Sequence, residues 1–301
     1  MIIGSHVSFG KEQLLGSVKE AISYNANAFM FYTGAPQNTI RKPIDNKLLT
    51  QAINLMKENN ILIENVICHA PYIVNLANRN DASKWDFSIN FLKNEINRCE
   101  EMGVKYIVVH PGSAVGISRE EGLNNIVDAL NIIITKEDEC MILLETMAGK
   151  GNELGRSLEE IKYMIDNINL KDKIGVCLDT CHLNDAGYDM SDFDLYLDQF
   201  DELIGLDKLK CIHVNDSKND MNTHKDRHAN IGYGTIGFEN MLNIIYNERI
   251  KDIPKMLETP YVGKDMEDKN RDYPPYRFEI EMIRNKKFNE NLIKDINDYY
   301  N

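Results

Sequence analysis

The sequence predicts an α/β protein with a single (β/α)8 (TIM) barrel domain over residues 1–301, and three observations support this prediction. Eight short β-branched apolar runs alternate with segments of helical period. The length of 301 residues suits this barrel, whose typical size is ~250 residues. Hydrophobic residues at 43% and charged residues at 27% are an ordinary globular composition that can bury a large core. A doubly wound open sheet is the alternative, and the alternation favours the barrel.

The apolar runs predict the strands, and the segments between them predict helices. Each run is continuously apolar over about four to six residues, which is typical of parallel strands buried on both faces. The predicted strands are residues 2–7, 28–32, 63–68, 106–109, 141–144, 174–178, 210–214 and 255–257. Predicted helix N-caps are Ser83, Ser118 and Ser157, with Gly103 as a helix end and residues 288–300 as a last helix.

Composition excludes several classes of protein. No run approaches the ~18 consecutive apolar residues that a transmembrane helix needs, and the first residues lack the pattern of a secretory signal. We therefore expect a cytoplasmic protein with no membrane partner. The six cysteines are expected to be reduced and mostly buried. The formal net charge of −13 argues by itself against a nucleic-acid partner, because polyanions bind to basic surfaces.

Six successive predicted strands end in, or are followed at once by, a histidine or a carboxylate. These residues are His69, His110, Glu145, Asp179, His213 and Glu258. In a barrel the carboxyl ends of the strands converge on one mouth, where enzymes of this fold place their active sites. Any one of these residues alone would have an ordinary structural explanation, but six in succession indicate a functional site.

Nine nitrogen and oxygen side chains at one mouth predict a metal cluster. His182, Asp226 and His228 lie just beyond strand ends and join the six. Burying several carboxylates together is very costly without cations. This ligand mixture suits Zn²⁺ best, with Mn²⁺ or Fe²⁺ as alternatives, and three ions are a consistent number if one carboxylate bridges. Alternation along the strand disfavours Cys177 and Cys181 as ligands. A structural or a substrate-facing role stays open for His6, and His224 is expected to be solvated.

Three stretches make the sequence resemble the endonuclease IV family of apurinic/apyrimidinic (AP) endonucleases along essentially the whole chain. They are HAPYIVNLA at 69–77, GVCLDTCH at 175–182 and HVNDSK at 213–218. The resemblance implies a (β/α)8 barrel with three zinc ions that acts in base excision repair. Such an enzyme cuts the DNA backbone 5′ to an abasic site and leaves 3′-hydroxyl and 5′-deoxyribose phosphate ends. It also implies a monomer that associates with the nucleoid when bound to DNA.

The resemblance assigns each of the nine side chains to an ion. One zinc would be held by His69, His110 and Glu145, a second by Glu145, Asp179, His213 and Glu258, and a third by His182, Asp226 and His228. Mn²⁺ is an alternative at one of these sites. Glu145 and Glu258 are the expected catalytic residues. One departure from the family pattern is Asn222, where the family usually has glycine; asparagine tolerates a left-handed backbone better than most residues.

The expected partner is double-stranded DNA that contains abasic sites. Tyr72 and Ile73 are candidates to insert into the duplex, with core packing as the alternative for Tyr72, and Gln37 and Asn38 are candidates to probe the minor groove. Basic residues predicted on the rim, which could offset the acidic balance, are Arg41, Lys42, Arg79, Lys84, Lys218, Lys225 and Arg227.

Two other functions stay open at this stage. The first is a divalent-metal sugar isomerase on the same barrel, although five of the nine ligands are histidines and no predicted strand ends in lysine. The second is a catalytically inactive metal-binding or DNA-binding module. An assay of abasic-oligonucleotide nicking against aldose–ketose conversion separates these possibilities.

Overall fold

A closed barrel of eight parallel strands forms the centre of the molecule, as the sequence predicts. The computed structural model describes residues 1–35, 38–265, 268 and 270–301. The barrel strands are β1 (Ile3–Val7), β2 (Ala28–Phe31), β3 (Val66–His69), β4 (Tyr106–Val109), β5 (Met141–Glu145), β6 (Ile174–Asp179), β7 (Leu209–His213) and β10 (Lys255–Leu257). They follow one another around the barrel in the order β1-β10-β7-β6-β5-β4-β3-β2. A short antiparallel pair, β8 (Asp216–Ser217) and β9 (His228–Ala229), lies beyond the end of β7.

Helices connect the strands and cover the outside of the barrel. They are α1 (Gln13–Ser23), α2 (Asn46–Glu58), α3 (Ala82–Glu101), α4 (Arg119–Ile133), α5 (Leu158–Asn167), α6 (Thr180–Ala186), α7 (Phe193–Leu203), α8 (Phe238–Ile245), α9 (Tyr276–Arg284) and α10 (Leu292–Tyr300). Within the described part of the chain, none of the helices is both long enough and apolar enough to cross a membrane.

The predicted helix boundaries are confirmed in part. The hydroxyls of Ser118 and Ser157 accept the backbone N–H groups of α4 and α5 three residues later, as N-caps do. The prediction for Ser83 is wrong, because the Asp81 carboxylate accepts the Lys84 N–H and starts α3 earlier. The last helix begins at Leu292 rather than at residue 288.

The barrel interior is filled by side chains that alternate with those facing the helices. The inward-facing buried residues form one cluster, which comprises Ala28, Met30, Ile67, Val108, Leu143, Cys177, Cys211 and Met256. A larger apolar cluster lies between the strands and the helices. The strands are thus buried on both faces, which explains their continuously apolar sequences. Residues 63–65, predicted as strand, form a single 3₁₀ turn before β3.

Four of the polar residues at the mouth are part of their strands, although the sequence predicts three of them just beyond a strand end. His69, Glu145, Asp179 and His213 are the last residues of β3, β5, β6 and β7. His110 and Glu258 follow β4 and β10 directly. Strand pairing fixes the backbone at the four terminal positions, so those side chains leave the barrel wall from rigid points.

A buried ion pair anchors the loop that follows β2. Arg41 Nε donates to Glu95 Oε1 of α3 at 2.9 Å, and the Thr33 hydroxyl donates to Glu95 Oε2 at 2.6 Å. The Arg41 side chain is only 9% exposed and that of Glu95 is not exposed. The charge of Arg41 is therefore used inside the protein, and this residue is not the free rim cation that the sequence suggests.

We predict that Glu95→Gln lowers the free energy of unfolding by about 3–5 kcal/mol, because the guanidinium of Arg41 then stays buried without its counter-charge. Equilibrium urea denaturation measures the change. The matched control is Asp128→Asn, which removes the carboxylate of an exposed pair with Arg79 at 3.1 Å. That variant should lose less than about 1 kcal/mol. Equal losses in the two variants would contradict the role given to Glu95.

Candidate metal centre

The nine predicted side chains meet at one mouth of the barrel, and Glu145 lies at their centre. Its Oε2 is 3.0 Å from His69 Nε2 and 3.1 Å from His110 Nε2. Its Oε1 is 3.1 Å from His213 Nδ1 and 3.4 Å from His182 Nδ1. A single buried carboxylate thus faces four imidazoles.

Glu258 and Asp179 complete the group around His213. His213 Nδ1 lies 3.1 Å from Glu258 Oε2 and 3.9 Å from Asp179 Oδ2. The side chains of His213 and Asp179 are fully buried, whereas that of Glu258 is 17% exposed. Glu258 is therefore the more accessible of the two carboxylates to solvent or substrate.

A third group is built around Asp226, which lies in the loop between β8 and β9. Its Oδ1 is 3.1 Å from His182 Nε2 and 3.5 Å from His228 Nε2. His228 Nε2 is also 3.7 Å from Asp179 Oδ2. Asp179 therefore connects this group with the one around His213.

Backbone carbonyls fix the orientation of three of the imidazoles. His69 Nδ1 lies 2.7 Å from the carbonyl of Ala70, and His182 Nδ1 lies 2.8 Å from that of Thr146. His228 Nδ1 lies 3.1 Å from the carbonyl of Glu258. Because a carbonyl only accepts, Nδ1 carries a proton in each ring, so Nε2, which faces the mouth, is the nitrogen that can offer a lone pair to a cation when the ring is neutral.

The acids and imidazoles shift one another's pKa values in opposite directions. Burial would raise the pKa of Glu145, but the imidazoles of His213 and His110 hold it well below its usual range. Burial opposes the same change at Glu258, where His213 lowers the pKa below its usual range. Burial would lower the pKa of His213, but Cys177 and Glu258 raise it well above its usual value. Protons on imidazoles thus balance the carboxylates when no other cation does so.

The donor set fits divalent cations. His228 Nε2 is buried and has no hydrogen-bond partner among the described residues, and a buried polar atom of this kind is rare without a ligand. Two triads of donor atoms, His69–His110–Glu145 and His182–Asp226–His228, each lie within 4.8 Å of one another. Imidazole nitrogens with carboxylate oxygens are the ligands of catalytic zinc and related metals. The mouth can therefore hold several such ions.

A cysteine also lies near this group. The Cys181 thiol forms a candidate triad with Asp179 and His228. Burial raises the pKa of this thiol, so the thiolate that a metal needs is disfavoured. All six cysteines are free and buried, as predicted.

Asn215 joins two of the candidate ligands, although it was not among the residues predicted for the site. Its Nδ2 donates to Asp179 Oδ2 at 2.7 Å, and its Oδ1 accepts the Glu258 N–H at 2.9 Å. The Thr180 hydroxyl in turn holds the Asn215 backbone, donating to its carbonyl at 2.6 Å. One buried amide thus ties two candidate ligands together. The signal in the sequence was its place in the HVNDSK stretch, two residues after His213.

The loop that carries Asp226 is held by the buried carboxylate of Asp185. This carboxylate accepts hydrogen bonds from the Ser217 hydroxyl at 2.7 Å and from the Asp226 N–H at 2.8 Å. Asn222 adopts the left-handed conformation with φ 65°, which asparagine tolerates better than most residues. His224 was expected to be solvated, but its Nδ1 lies 2.7 Å from the carbonyl of Ala148.

A second buried acid supports the centre from α9. Glu279 accepts the Ile231 N–H at 3.0 Å and an Asn230 amide hydrogen at 3.1 Å, and it is bonded to the hydroxyl of Thr259. Burial raises the pKa of Glu279 to about 7. Because Thr259 follows Glu258 directly, this contact links β9 and the segment after β10. Nothing in the sequence marks Glu279, since its helix shows only an ordinary amphipathic pattern.

The residues predicted to contact DNA differ in how far they are exposed to solvent. Tyr72 is 58% exposed, so core packing, the alternative considered for it, is wrong. Ile73 is partly buried and packs against the main core. Asn38 is exposed, with its side-chain oxygen accepting the Ile40 N–H at 3.1 Å. Gln37 lies outside the described residues.

The predicted basic rim is smaller than expected, because three of its cations are paired. Arg41 is bound to buried Glu95, as described above. Arg79 pairs with Asp128 at 3.1 Å and Lys84 with Asp81 at 2.9 Å. No ion pair of Lys218 or Arg227 is found among the described residues. Burial and the neighbouring charges of Arg271 and Arg227 lower the pKa of Lys218, so each of these arginines repels Lys218.

Known proteins resemble this chain along almost its full length. A family model described as a xylose isomerase-like TIM barrel matches residues 18–286. The protein named "Probable endonuclease 4" of Mesoplasma florum is 50% identical over 296 residues, which is 97% of this chain and 98% of that protein. The protein of the same name in Enterococcus faecalis is 51% identical over 298 residues, which is 98% of this chain and 99% of that protein.

Solved structures agree with this relationship. Endonuclease IV from Thermus thermophilus has a TM-score of 0.79 at 27% identity, and the match covers 95% of this chain and 98% of that one. A D-tagatose 3-epimerase-like protein has a TM-score of 0.67 at 19% identity, and the match covers 100% of both chains. The second similarity shows that the fold is shared and carries nothing further.

We predict that Asn215→Ala lowers the affinity for metal by about 10- to 100-fold, the usual cost of losing a residue that orients ligands. Metal content after dialysis against a graded series of chelator concentrations measures the loss. The matched control is Asn125→Ala, since Asn125 is also a buried amide but donates to the carbonyl of Ala77 outside the centre, at 2.8 Å. Equal metal retention by the two variants would remove Asn215 from the support of the site.

Proposed function

We propose, on the premise that this chain belongs to the endonuclease IV family, that it is a DNA-repair AP endonuclease. It would hydrolyse the phosphodiester bond 5′ to an abasic site and leave 3′-hydroxyl and 5′-deoxyribose phosphate ends. The observation that carries the proposal is the convergence of imidazole and carboxylate donors on one mouth of the barrel. Such a donor set suits metal-assisted hydrolysis of phosphate esters.

The proposed ions are three Zn²⁺, with Mn²⁺ as an alternative at one site. The residues that would hold them are His69, His110 and Glu145 for the first, Glu145, Asp179, His213 and Glu258 for the second, and His182, Asp226 and His228 for the third. When bound, such ions make water more acidic and neutralise charge on phosphate oxygens.

Two carboxylates have the proposed catalytic roles. Glu145 faces imidazoles with both oxygens at 3.0–3.1 Å, and it fixes the geometry in which the reacting groups would meet. Glu258 keeps some exposure beside it. Its pKa below the usual range keeps it ionised at neutral pH, so its carboxylate would accept a hydrogen bond from an attacking water and orient it.

A cavity of about 370 Å³ opens beside the centre and is proposed to receive the extruded sugar. His6, Tyr32 and Tyr276 are among its lining residues, and the Tyr32 ring centroid is 5.4 Å from that of His69. Burial lowers the pKa of His6 to about 4, so this imidazole is neutral at pH 7. Its Nε2 is buried and has no hydrogen-bond partner among the described residues.

The rim carries cations that can contact the phosphates of a duplex and exposed apolar side chains that can contact its bases. Lys218 and Arg227, with Arg271 nearby, form a cationic group whose mutual repulsion a phosphate would relieve. Exposed apolar side chains lie in loops after the carboxyl ends of the strands. They are Ile40, Tyr72, Val115 and Met221. We propose Tyr72 as the residue that fills the gap beside the missing base, with Ile73 beneath it and Asn38 and Gln37 towards the minor groove.

A sugar isomerase on this barrel is the alternative to be tested alongside. The epimerase-like structure shares the fold. The metal centre of this chain, however, contains five imidazoles, and its rim carries cations that a small neutral sugar does not require. Aldose–ketose conversion without nicking would favour the isomerase over the endonuclease.

We predict that Glu258→Gln lowers nicking of a duplex with one abasic site by at least about 100-fold, because the neutral amide removes the negative charge with which this carboxylate would orient an attacking water. Single-turnover nicking on denaturing gels measures the rate, with metal content determined on the same samples. The control is Glu100→Gln at the opposite end of the barrel, where Glu100 accepts the Cys140 N–H at 3.1 Å; it should keep wild-type nicking. Normal nicking by fully loaded Glu258→Gln would contradict the assignment.

We predict that Tyr72→Ala reduces the preference for abasic over intact duplex by about tenfold, a size consistent with one lost aromatic–base stacking contact. Competition binding with the two duplexes at fixed ionic strength measures the ratio. Leu62→Ala is the control, since Leu62 is 60% exposed but precedes β3 at the far end of the barrel. An unchanged ratio in Tyr72→Ala would show that Tyr72 does not read the gap.

A further inference from the structure

A second cavity adjoins the one proposed to receive the sugar, and three cations line it. Its volume is about 370 Å³, and it lies between the loops after β1 and β2 and the side of α3. The cations are Lys11, Lys42 and Arg98, and the lining contains no carboxylate among the described residues. In a chain with a formal net charge of −13, a cavity with this lining indicates an anionic ligand.

The charge of Arg98 is fixed in position but is not neutralised. Its Nη1 donates to the carbonyl of Lys42 at 2.8 Å, and its Nη2 donates to that of Thr33 at 3.2 Å. Its Nε is buried and has no hydrogen-bond partner in the described part of the chain. Carbonyls are neutral acceptors, so they orient the guanidinium and leave its full positive charge at the wall of the cavity.

Two acids close to these cations in the sequence are engaged elsewhere. Glu95 lies one turn before Arg98 on α3, but its carboxylate accepts the Arg41 Nε–H at 2.9 Å. This part of the wall therefore contains two guanidiniums and one carboxylate. Glu12, which follows the first of the two lysines, pairs with Lys19 at 2.6 Å. The cavity thus keeps an excess of positive charge.

The cavity also has an apolar side. Phe9 lines it and stacks on Phe31, with the ring centroids 5.3 Å apart. Ile40 lines it from the loop after β2, and 76% of this residue is exposed. Apolar and aromatic side chains can contact the base or the sugar of a nucleotide, while the cations contact its phosphate.

We propose that this cavity binds the phosphate group of a nucleotide through Lys11, Lys42 and Arg98. Guanidinium and ammonium groups are common phosphate ligands in proteins. A phosphate monoester carries a charge of about −1.5 to −2 at pH 7, which would offset most of the three positive charges. None of the three residues is among those proposed to hold ions, so the site is present when the metal centre is loaded.

Two sources of the phosphate group are consistent with this chemistry. One is a free nucleoside monophosphate, which does not depend on the proposed function. The other is the backbone of bound DNA, which rests on the proposed function. Phe9 and Gly34 line both this cavity and the one proposed for the sugar, so a single DNA strand could occupy the two together.

Methyl NMR of the metal-loaded full chain tests the binding of a free nucleotide. The probe is the δ1 methyl resonance of Ile40, which lines this cavity but not its neighbour. Deoxyadenosine monophosphate should shift this resonance saturably. Lys11→Gln with Lys42→Gln should weaken the binding by about tenfold or more, because two charged donors are lost. The matched control is Lys47→Gln with Lys57→Gln, two exposed lysines of α2 outside the cavity, which should bind the nucleotide normally.

The salt dependence of binding to intact duplex tests the DNA backbone as the source. Each neutralised phosphate contributes ~0.9 to the slope of log affinity against log salt concentration. Lys11→Gln with Lys42→Gln should therefore make the slope shallower by about 1–2 than the control variant does. The measurement follows binding and not nicking, so it stays interpretable if the proposed chemistry fails.

The two readouts together decide the proposal. A nucleotide-dependent shift of Ile40 that requires the two lysines supports a free nucleotide, and a shallower salt slope without such a shift supports the DNA backbone. The proposal is overturned if neither the nucleotide affinity nor the salt slope differs between the two double variants. It is also overturned if deoxyadenosine binds as tightly as its monophosphate and the slope is unchanged. Absence of nicking with either readout intact would contradict the proposed endonuclease activity alone.

Discussion

The burial of carboxylates at the mouth of the barrel is the constraint on which the rest of the site depends. Glu145 and Asp179 have almost no exposed surface, and ionised carboxylates in such a place need positive charge close by. The facing imidazoles of His69, His110 and His213 supply donors or protons at about 3 Å. A centre of this composition is stable when cations occupy it, and it is expensive to keep otherwise.

The fold reduces this cost by holding each group from two sides. The strand ends place the ligands, and a second layer of polar residues orients them. Asn215 joins Asp179 to Glu258, and Asp185 holds the loop with Asp226. Glu279 joins the segment after β9 to Thr259, which follows β10. Each of these contacts spans distant parts of the sequence, so the closed barrel is required for the site to exist.

The sequence predicts the strands and the candidate ligands well, for a local reason. A buried parallel strand is a continuous apolar run, so its end is marked by the first polar residue, and at the mouth that residue is the ligand itself. Helix starts are less certain, because Asp81 and Ser83 are both good caps and only their local geometry selects between them. The third strand begins three residues later than predicted, because apolar residues such as Ile63 also occur in turns.

Contacts between distant residues could not be predicted from one sequence. Arg41 looks like a free rim cation until its partner, Glu95, is found on a helix far along the chain. Asn215 and Glu279 likewise act through contacts with residues distant in the sequence.

Metal content measured on active protein is the most direct test of this account. Plasma emission analysis is made on the same purified sample that nicks abasic duplex. It should find about three ions of a transition-series metal per chain, and most of that metal should be zinc. Their removal by a chelator should abolish nicking, and zinc should restore it. Active protein that contains no such metal would contradict the account.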